Sequence, residues 1–229
     1  MLCMKYTRRL LAVAALTGVI GLSAISLWVA FPPRDALELA PPLEYFDSHS
    51  PGDPRYLMDF APLERAYRPQ SYRSFCGPAT LSTVLRAYGA SDVDQNAIFP
   101  NLGARLKVFY NGMTLADLGA LARSAGLRAR LVYANDMTPD SFRERVKANL
   151  AHAGDFVVVN YDRRMLKQEG AGHISAIGAY DPARDAFLVL DEASYRYPFT
   201  WVPAPLLYAA IHTKDGDKFR GALFIDGRD

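Results

Sequence analysis

The pattern of hydrophobic and polar positions divides the 229-residue chain into three parts. An uncharged apolar run comes first, from Leu10 to Phe31, and a proline-rich stretch without sustained periodicity follows over residues 32–55. Helix-like and strand-like patterns fill residues 56–229. Since a folded domain usually takes about 100 to 200 residues, we expect one domain there. Residues 1–31 are predicted to be a membrane anchor or signal segment, and residues 32–55 an extended tether.

Helical spacing is clearest after Cys76, where Leu81, Val84, Leu85 and Tyr88 lie on one face before Gly89. Proline is tolerated in a first helical turn, so Pro78 agrees with a helix that begins at Cys76. Similar patterns predict further helices over residues 91–98, 114–124, 138–151 and 204–211. Residues 106–111 are interpreted as a loop or short turn.

Strand patterns dominate the last third of the chain. They cover residues 127–133, 155–161, 174–180, 186–190 and 222–225, with a turn over residues 181–185. The fold class predicted from helices followed by consecutive strands is α+β, with a helical N-terminal part and an antiparallel sheet in the C-terminal part.

The apolar run at the N-terminus is about as long as a bilayer-spanning helix requires. Lys5, Arg8 and Arg9 precede it, and the positive-inside rule keeps such residues in the cytoplasm. We therefore expect an uncleaved inner-membrane anchor that places the domain in the periplasm. A cleaved signal peptide and a secreted domain are the alternative.

Composition removes several classes of function. The formal net charge is +2 and the basic residues are scattered, so we predict no nucleic-acid partner. No His, Asp or Glu pair has metal-ligand spacing, and we predict neither a metal nor a cofactor. The two cysteines, Cys3 and Cys76, lie on opposite sides of the predicted membrane segment, which excludes a disulfide between them.

Cys76 is the candidate nucleophile. At a helix N-terminus, unpaired amides and the helix dipole favour a thiolate, and we expect a lowered pKa for this thiol. Gln70 precedes it by six residues and is a candidate donor to an oxyanion beside the sulfur. The alternative interpretation is a small buried cysteine that packs as a hydrophobic residue.

A second pair of candidates comes from the hairpin around residues 181–185. If its loop is centred near Pro182, His173 faces Asp191, and opposed side chains have Cβ atoms about 4.5–5.5 Å apart. A cysteine at a helix start with His and Asp on neighbouring strands is the arrangement of a papain-like acyl-transfer site. His173 would take the thiol proton, and Asp191 would fix the imidazole tautomer.

Several separated motifs carry a family resemblance that extends over residues 67–224. They are Gln70 with Cys76-Gly77-Pro78-Ala79, Gly112-Met113-Thr114-Leu115, Gly170-Ala171-Gly172-His173-Ile174-Ser175, Leu190-Asp191, Tyr195-Arg196-Tyr197-Pro198, Trp201-Val202 and Arg220-Gly221. In this order they resemble the catalytic domain of the phytochelatin synthase family, the glutathione gamma-glutamylcysteinyltransferases, in its short bacterial form.

The resemblance implies a papain-like α+β fold and a triad of Cys76, His173 and Asp191, with Gln70 at the oxyanion position. It implies that the thiolate attacks the Cys-Gly bond of glutathione, releases glycine and forms a γ-glutamylcysteinyl thioester. Water or another glutathione then accepts the acyl group. Contacts to the bound γ-glutamyl-cysteine would fall on four further residues: Asn160, Gly172, Asp215 and Arg220.

The sequence departs from the family pattern at Ser194, where an arginine is usual, and at Ala176 and Phe199, which replace prolines. The missing arginine would position the second substrate or the triad carboxylate. No thiol cluster follows Cys76, whereas plant members carry a Cys-rich C-terminal region. We therefore expect mainly hydrolysis of glutathione or a related γ-glutamyl thiol peptide, with weak transfer.

Two alternatives to this function stay open at the level of sequence. One is a papain-like peptidase that acts on another exported or cell-wall peptide. The other is a membrane-tethered binding protein that keeps the fold and uses the site only for capture. Cysteine, histidine, aspartate and glutamine together favour an enzyme, because a binding protein does not need all four.

Overall fold

A computed structural model describes residues 21–31, 37–49, 51–91 and 93–228. It contains six bounded α-helices: α1 (Phe60–Ala66), α2 (Cys76–Ala87), α3 (Leu102–Asn111), α4 (Leu115–Ser124), α5 (Pro139–Leu150) and α6 (Ala204–Ile211). The strands are β1 (Glu44–Tyr45), β2 (Leu127–Tyr133), β3 (Phe156–Asp162), β4 (Gly172–Asp181), β5 (Ala186–Leu190), β6 (Thr200–Pro203), β7 (Lys214–Asp215), β8 (Lys218–Phe219) and β9 (Gly221–Arg228). Residues 21–30 are also helical.

Seven strands form one sheet in the order β1-β6-β5-β4-β3-β9-β2, and every neighbouring pair is antiparallel. The remaining two strands, β7 and β8, form a short hairpin before β9. The predicted α+β class with an antiparallel C-terminal sheet is therefore confirmed.

Both faces of the sheet are buried, and β3 shows how one strand serves two cores. Val157 and Val159 pack with α5 and α6 on one face, whereas Phe156 and Val158 pack with α2 and α4 on the other. Successive side chains of a strand point to opposite faces, so a strand between two helical layers is apolar throughout. This arrangement fixes the starts of β4 and α2 against each other.

Two local predictions are wrong because side-chain hydrogen bonds to the backbone decide the local structure there. Residues 106–111 belong to α3, which begins where Asn101 Oδ1 accepts the Ala104 N–H (2.9 Å) and ends at Gly112, with φ of 73°. The helix predicted over residues 91–98 is replaced by turns in its described part. There the Asp94 carboxylate accepts the Asn96 N–H, a local bond that competes with helix formation.

The folded unit begins earlier in the chain than Tyr56. The proline-rich sequence before Tyr56 predicts a start near that residue. Leu43 is buried, and β1 pairs with β6 at the edge of the sheet through Glu44 opposite Trp201. The Leu37 N–H donates to the Arg196 carbonyl (3.0 Å). Part of the predicted tether is thus a sheet edge; residues 32–36 and residue 50 lie outside the described residues.

The predicted membrane segment falls mostly outside the described residues, which begin at Gly21. Within the described ranges, no helix has the length and apolar character needed to cross a bilayer. The membrane anchor stays a prediction.

Gly221→Ala is expected to destabilise the sheet. A Cβ at Gly221 would lie 2.2 Å from the Val132 carbonyl oxygen, a backbone atom that cannot rotate away. We expect a loss of about 1–3 kcal/mol in the free energy of unfolding, measured by urea denaturation. Gly21→Ala is the control, because a Cβ there meets nothing within 4 Å. Equal stability of the two variants would contradict the prediction.

Candidate active site

The candidate nucleophile lies where α2 meets β4. Cys76 is buried, is the first residue of α2 and is a free thiol. A Cβ at Gly77 would lie 2.6 Å from Met113 Sδ and 3.2 Å from Ile174 Cδ1, so glycine permits the close approach of the helix start to the sheet. The Thr80 hydroxyl donates to the Cys76 carbonyl (2.8 Å) and to the Ile174 carbonyl (3.3 Å).

The expected low pKa of Cys76 is wrong. Burial raises the pKa of this thiol to about 11, although the backbone amides of Ile174 and Gly77 stabilise the thiolate. Loss of solvation therefore outweighs the helix terminus. In the free protein Cys76 is a thiol, and a base must take its proton during an attack.

The predicted contact between His173 and Asp191 is present. His173 Nε2 lies 2.9 Å from Asp191 Oδ1, and both side chains are buried. The register that predicted this contact is wrong, because β4 pairs Ala176 with Leu190 beyond a bulge between Ile177 and Ala179. Continued by one residue, that register puts Asp191 opposite position 175, and His173 is reached diagonally.

Arg163 belongs to the candidate site, although the sequence analysis did not identify it. Its Nη2 donates to Asp191 Oδ1 (2.7 Å), its Nη1 donates to Gln168 Oε1 (2.9 Å), and its guanidinium lies 5.1 Å from the centre of the Tyr197 ring. Two arginines follow strand β3, and only the structure shows that Arg163 is buried while Arg164 is exposed. The family pattern has an arginine where this chain has Ser194. Arg163 provides a positive charge beside Asp191 from another position.

These charges decide the protonation of the pair. Burial by itself would raise the pKa of Asp191, but Arg163 and then His173 outweigh it and hold that pKa well below its usual range. Burial and then the Arg163 charge lower the pKa of His173, although Asp191 opposes them. Because a carboxylate only accepts hydrogen bonds, Nε2 carries the proton of neutral His173, and Nδ1 is its basic nitrogen.

Gln70 lines the same cleft as His173, next to the nucleophile loop. Its backbone N–H donates to the Glu192 carbonyl (2.9 Å). Its side-chain Nε2 donates to the carbonyls of Tyr72 (3.0 Å) and Arg73 (2.9 Å) and to the Tyr195 hydroxyl (3.2 Å), so its N–H groups are already engaged. Its oxyanion role stays a prediction.

The four predicted substrate-binding residues meet beside His173. Arg220 Nη1 donates to Asn160 Oδ1 (2.8 Å) and to Asp215 Oδ2 (3.0 Å). A Cβ at Gly172 would lie 2.6 Å from the same Nη1, so glycine leaves room for the guanidinium. The β7–β8 hairpin brings Asp215 back to Arg220, and pairing of Asn160 with Gly221 aligns β3 with β9.

A second buried carboxyl group adjoins the triad. Glu192 is fully buried, and its only polar neighbour among the described residues is the Thr80 hydroxyl, which donates to backbone carbonyls instead. Burial, and then the charge of Asp191, raise its pKa well above the usual range. Its carboxyl group therefore favours the protonated form beside an ionised neighbour. No local sequence signal distinguishes it from an exposed glutamate after a strand.

A free, buried thiol at a helix start, packed against the strand that carries His173 and its partner Asp191, is an arrangement typical of enzymes with a cysteine nucleophile. Residues 51–222 match the family model described as Phytochelatin synthase. The chain belongs to this family, as the motifs predicted.

Curated relatives are similar over the same part of the chain. Glutathione gamma-glutamylcysteinyltransferase 3 of Lotus japonicus is 33% identical over 165 residues, which cover 68% of this chain and 34% of the relative. Glutathione gamma-glutamylcysteinyltransferase 1 of Triticum aestivum is 32% identical over 173 residues, covering 71% and 35%. This chain thus spans about a third of the length of these plant relatives.

Arg163→Gln is expected to shift the titration of His173. Without the Arg163 charge the pKa of His173 rises. As pH is lowered, the rate at which iodoacetamide alkylates Cys76 should therefore begin to fall at a higher pH in the variant than in the wild type. Breaking the buried pair also costs about 3–5 kcal/mol in the free energy of unfolding. The rate is measured between pH 4 and pH 9 by mass spectrometry of the Cys76 peptide.

Arg164→Gln is the matched control, because Arg164 is exposed and pairs with Asp162. It should leave the pH profile of alkylation unchanged. A profile for Arg163→Gln that coincides with the wild-type profile would show that Arg163 does not set the protonation of His173.

Glu192→Gln is expected to gain stability relative to the wild type as pH rises. The raised pKa means that the folded protein holds a proton that the unfolded chain releases above about pH 4.5, so wild-type stability falls with pH. The difference between the two proteins should grow by up to about 1.4 kcal/mol per pH unit. Urea denaturation from pH 4 to pH 8 measures it.

Only the slope of that difference is diagnostic, since the buried amide of the variant adds a constant cost. Glu64→Gln, on the exposed side of α1, controls for the loss of a carboxylate from the chain. A flat difference between Glu192→Gln and the wild type would show that Glu192 is ionised in the folded protein.

Proposed function

We propose that the domain cleaves the Cys-Gly bond of glutathione through a γ-glutamylcysteinyl thioester on Cys76, mainly by hydrolysis. The observation that carries this proposal is the position of Arg220 with its partners Asn160 and Asp215. They lie beside His173, because Arg220 packs against Gly172, the residue directly before it. The curated relatives bear the name glutathione gamma-glutamylcysteinyltransferase, which agrees with the proposed substrate.

In the first step, His173 Nδ1 takes the thiol proton while Cys76 Sγ attacks the cysteinyl carbonyl carbon. The imidazolium is stabilised by Asp191, which stays ionised because Arg163 and His173 lower its pKa. The C–N bond then breaks, and glycine leaves with the proton from His173. Water, or the amine of a second glutathione, attacks the thioester and restores the thiol.

Recognition of the γ-glutamyl group rests on charge exchange. In the free protein Arg220 and Asp215 pair with each other (3.0 Å). A γ-glutamyl group presents an α-carboxylate and an α-ammonium on one carbon. We propose that the carboxylate binds Arg220 and the ammonium binds Asp215, while the Asn160 amide orients both. A neutral peptide end offers no such pair.

The proposed preference for hydrolysis over transfer depends on how the second glutathione, the acceptor, would be bound. Arg163 supports the triad carboxylate, so Ser194 in place of an arginine removes a charge from acceptor binding rather than from the triad. We also propose that residues 1–31 attach the domain to the inner membrane on its periplasmic side. Lys5, Arg8 and Arg9 before the apolar run support that orientation.

Cys76→Ala is expected to abolish glycine release from glutathione. The full chain is incubated with glutathione, and mass spectrometry follows free glycine, γ-Glu-Cys, longer γ-glutamyl peptides and an acyl adduct on the protein. We expect γ-Glu-Cys to exceed the longer products. Cys3→Ser is the matched control, because it removes the other thiol and should keep full activity.

The isomer with an α-linked glutamate tests the proposed recognition, since it has the same atoms but separates the two charges differently. Cleavage of both isomers would indicate a general peptidase for other exported peptides. If neither is cleaved while Cys76 still alkylates, glutathione is not the substrate. An excess of longer peptides would reject the preference for hydrolysis.

A further inference from the structure

Exposed hydrophobic side chains are concentrated on one part of the molecule. Among the described residues, eleven large hydrophobic side chains are exposed, and eight of them belong to segment 21–31 or to α3. Trp28 (61% exposed) and Leu102 (59% exposed) are examples. We call the exposed apolar residues of these two elements the apolar patch. Single exposed hydrophobics are ordinary on a soluble surface, whereas a cluster of eight indicates a contact surface.

The two elements of the apolar patch form one surface. The Ser26 hydroxyl lies 3.0 Å from the Tyr110 hydroxyl, and Ser26, Leu106 and Tyr110 line one cleft. In α3, Leu102, Leu106 and Tyr110 recur every four residues, which places them on one face of the helix. That stripe therefore continues into the segment 21–31.

The charges at the apolar patch are mainly positive. Helix α3 contains Arg105 and Lys107 and no acidic residue. The Arg73 guanidinium lies 4.1 Å from the Trp28 ring centre, and its Nε donates to the Trp28 carbonyl (3.1 Å). Asp117 neutralises Lys107 and Glu169 neutralises Arg196, so Arg73 and Arg105 carry the positive charge that remains at the patch. Apolar residues beside cations suit the surface of an anionic bilayer.

We infer that the apolar patch contacts the membrane: segment 21–31 is the last half of the predicted anchor, and α3 lies beside it in the boundary between headgroups and acyl chains. The sequence immediately before the patch is uncharged from Leu10 to Ile20 and is preceded by basic residues. The predicted anchor therefore leads directly into the patch, which favours lipid as the partner of this surface. Trp28 and Tyr110 are residue types that concentrate at this boundary. The inference does not depend on which peptide the site cleaves.

Docking would orient the candidate active site. Trp28, Val29 and Tyr110 line the same cleft as His173 and Gln70. One wall of the substrate cleft is therefore part of the membrane-binding surface, and the cleft opens beside the headgroups. Arg73, in the same wall, connects the patch to the loop before Cys76.

A fluorescent label on α3 separates docking from anchoring alone. In the full chain with Cys3→Ser and Cys76→Ser, one new cysteine replaces Leu106, or Met58 as the control, and carries a nitrobenzoxadiazole group. Met58 is an exposed apolar residue outside the patch (49% exposed). In vesicles of phosphatidylcholine and phosphatidylglycerol we expect a blue shift at position 106, and quenching by lipids with brominated acyl chains of at least about twofold. Position 58 should show neither.

Leu102→Asp should remove the quenching at position 106, and Tyr45→Asp, at an exposed residue outside the patch, should leave it unchanged. A blue shift without quenching by brominated lipids would overturn the inference, because residues 1–20 or a second copy of the chain would then cover α3. Equal quenching at positions 58 and 106 would also overturn it, as would the absence of any shift.

Discussion

The buried ion pair between Arg163 and Asp191 is the interaction on which the site depends. Burial opposes the charge of every group in this part of the protein: it raises the pKa of Cys76 and Glu192 and lowers that of His173. Asp191 stays ionised because Arg163 compensates its loss of solvation. The result is a buried ion pair of Arg163 and Asp191 beside an imidazole and a thiol that favour their neutral forms. These protonation states favour general-base chemistry over a preformed thiolate at Cys76.

The sheet makes this arrangement possible because both of its faces are covered. Strand β4 carries Gly172 and His173 at its start, and its neighbour β3 carries Asn160 and ends next to Arg163. The nucleophile comes from the other layer, where Gly77 allows the start of α2 to approach Ile174. The groups of the candidate site thus come from separate elements that only the packed core holds together.

The surface around the cleft differs in character from the interior. Segment 21–31 and α3 present hydrophobic side chains to solvent, although each element also lines the cleft that holds His173. The Arg73 guanidinium against Trp28 ties that surface to the loop that ends at Cys76. Segment 21–31 is therefore in direct contact with the loop that precedes Cys76.

Local sequence determined which segments form helices and strands wherever periodicity and caps agree: Leu127–Tyr133, Ala186–Leu190 and Ala204–Ile211 lie where they were predicted. It also singled out Cys76, His173 and Asp191, because a lone cysteine before a helix and a histidine beside a hairpin are local signals. Tertiary structure decided the register that joins His173 to Asp191, since the bulge in β4 depends on packing across the sheet. It decided the pKa of Cys76 and the partners of Arg163 and Glu192, because desolvation and charge pairing depend on distant residues that burial brings together.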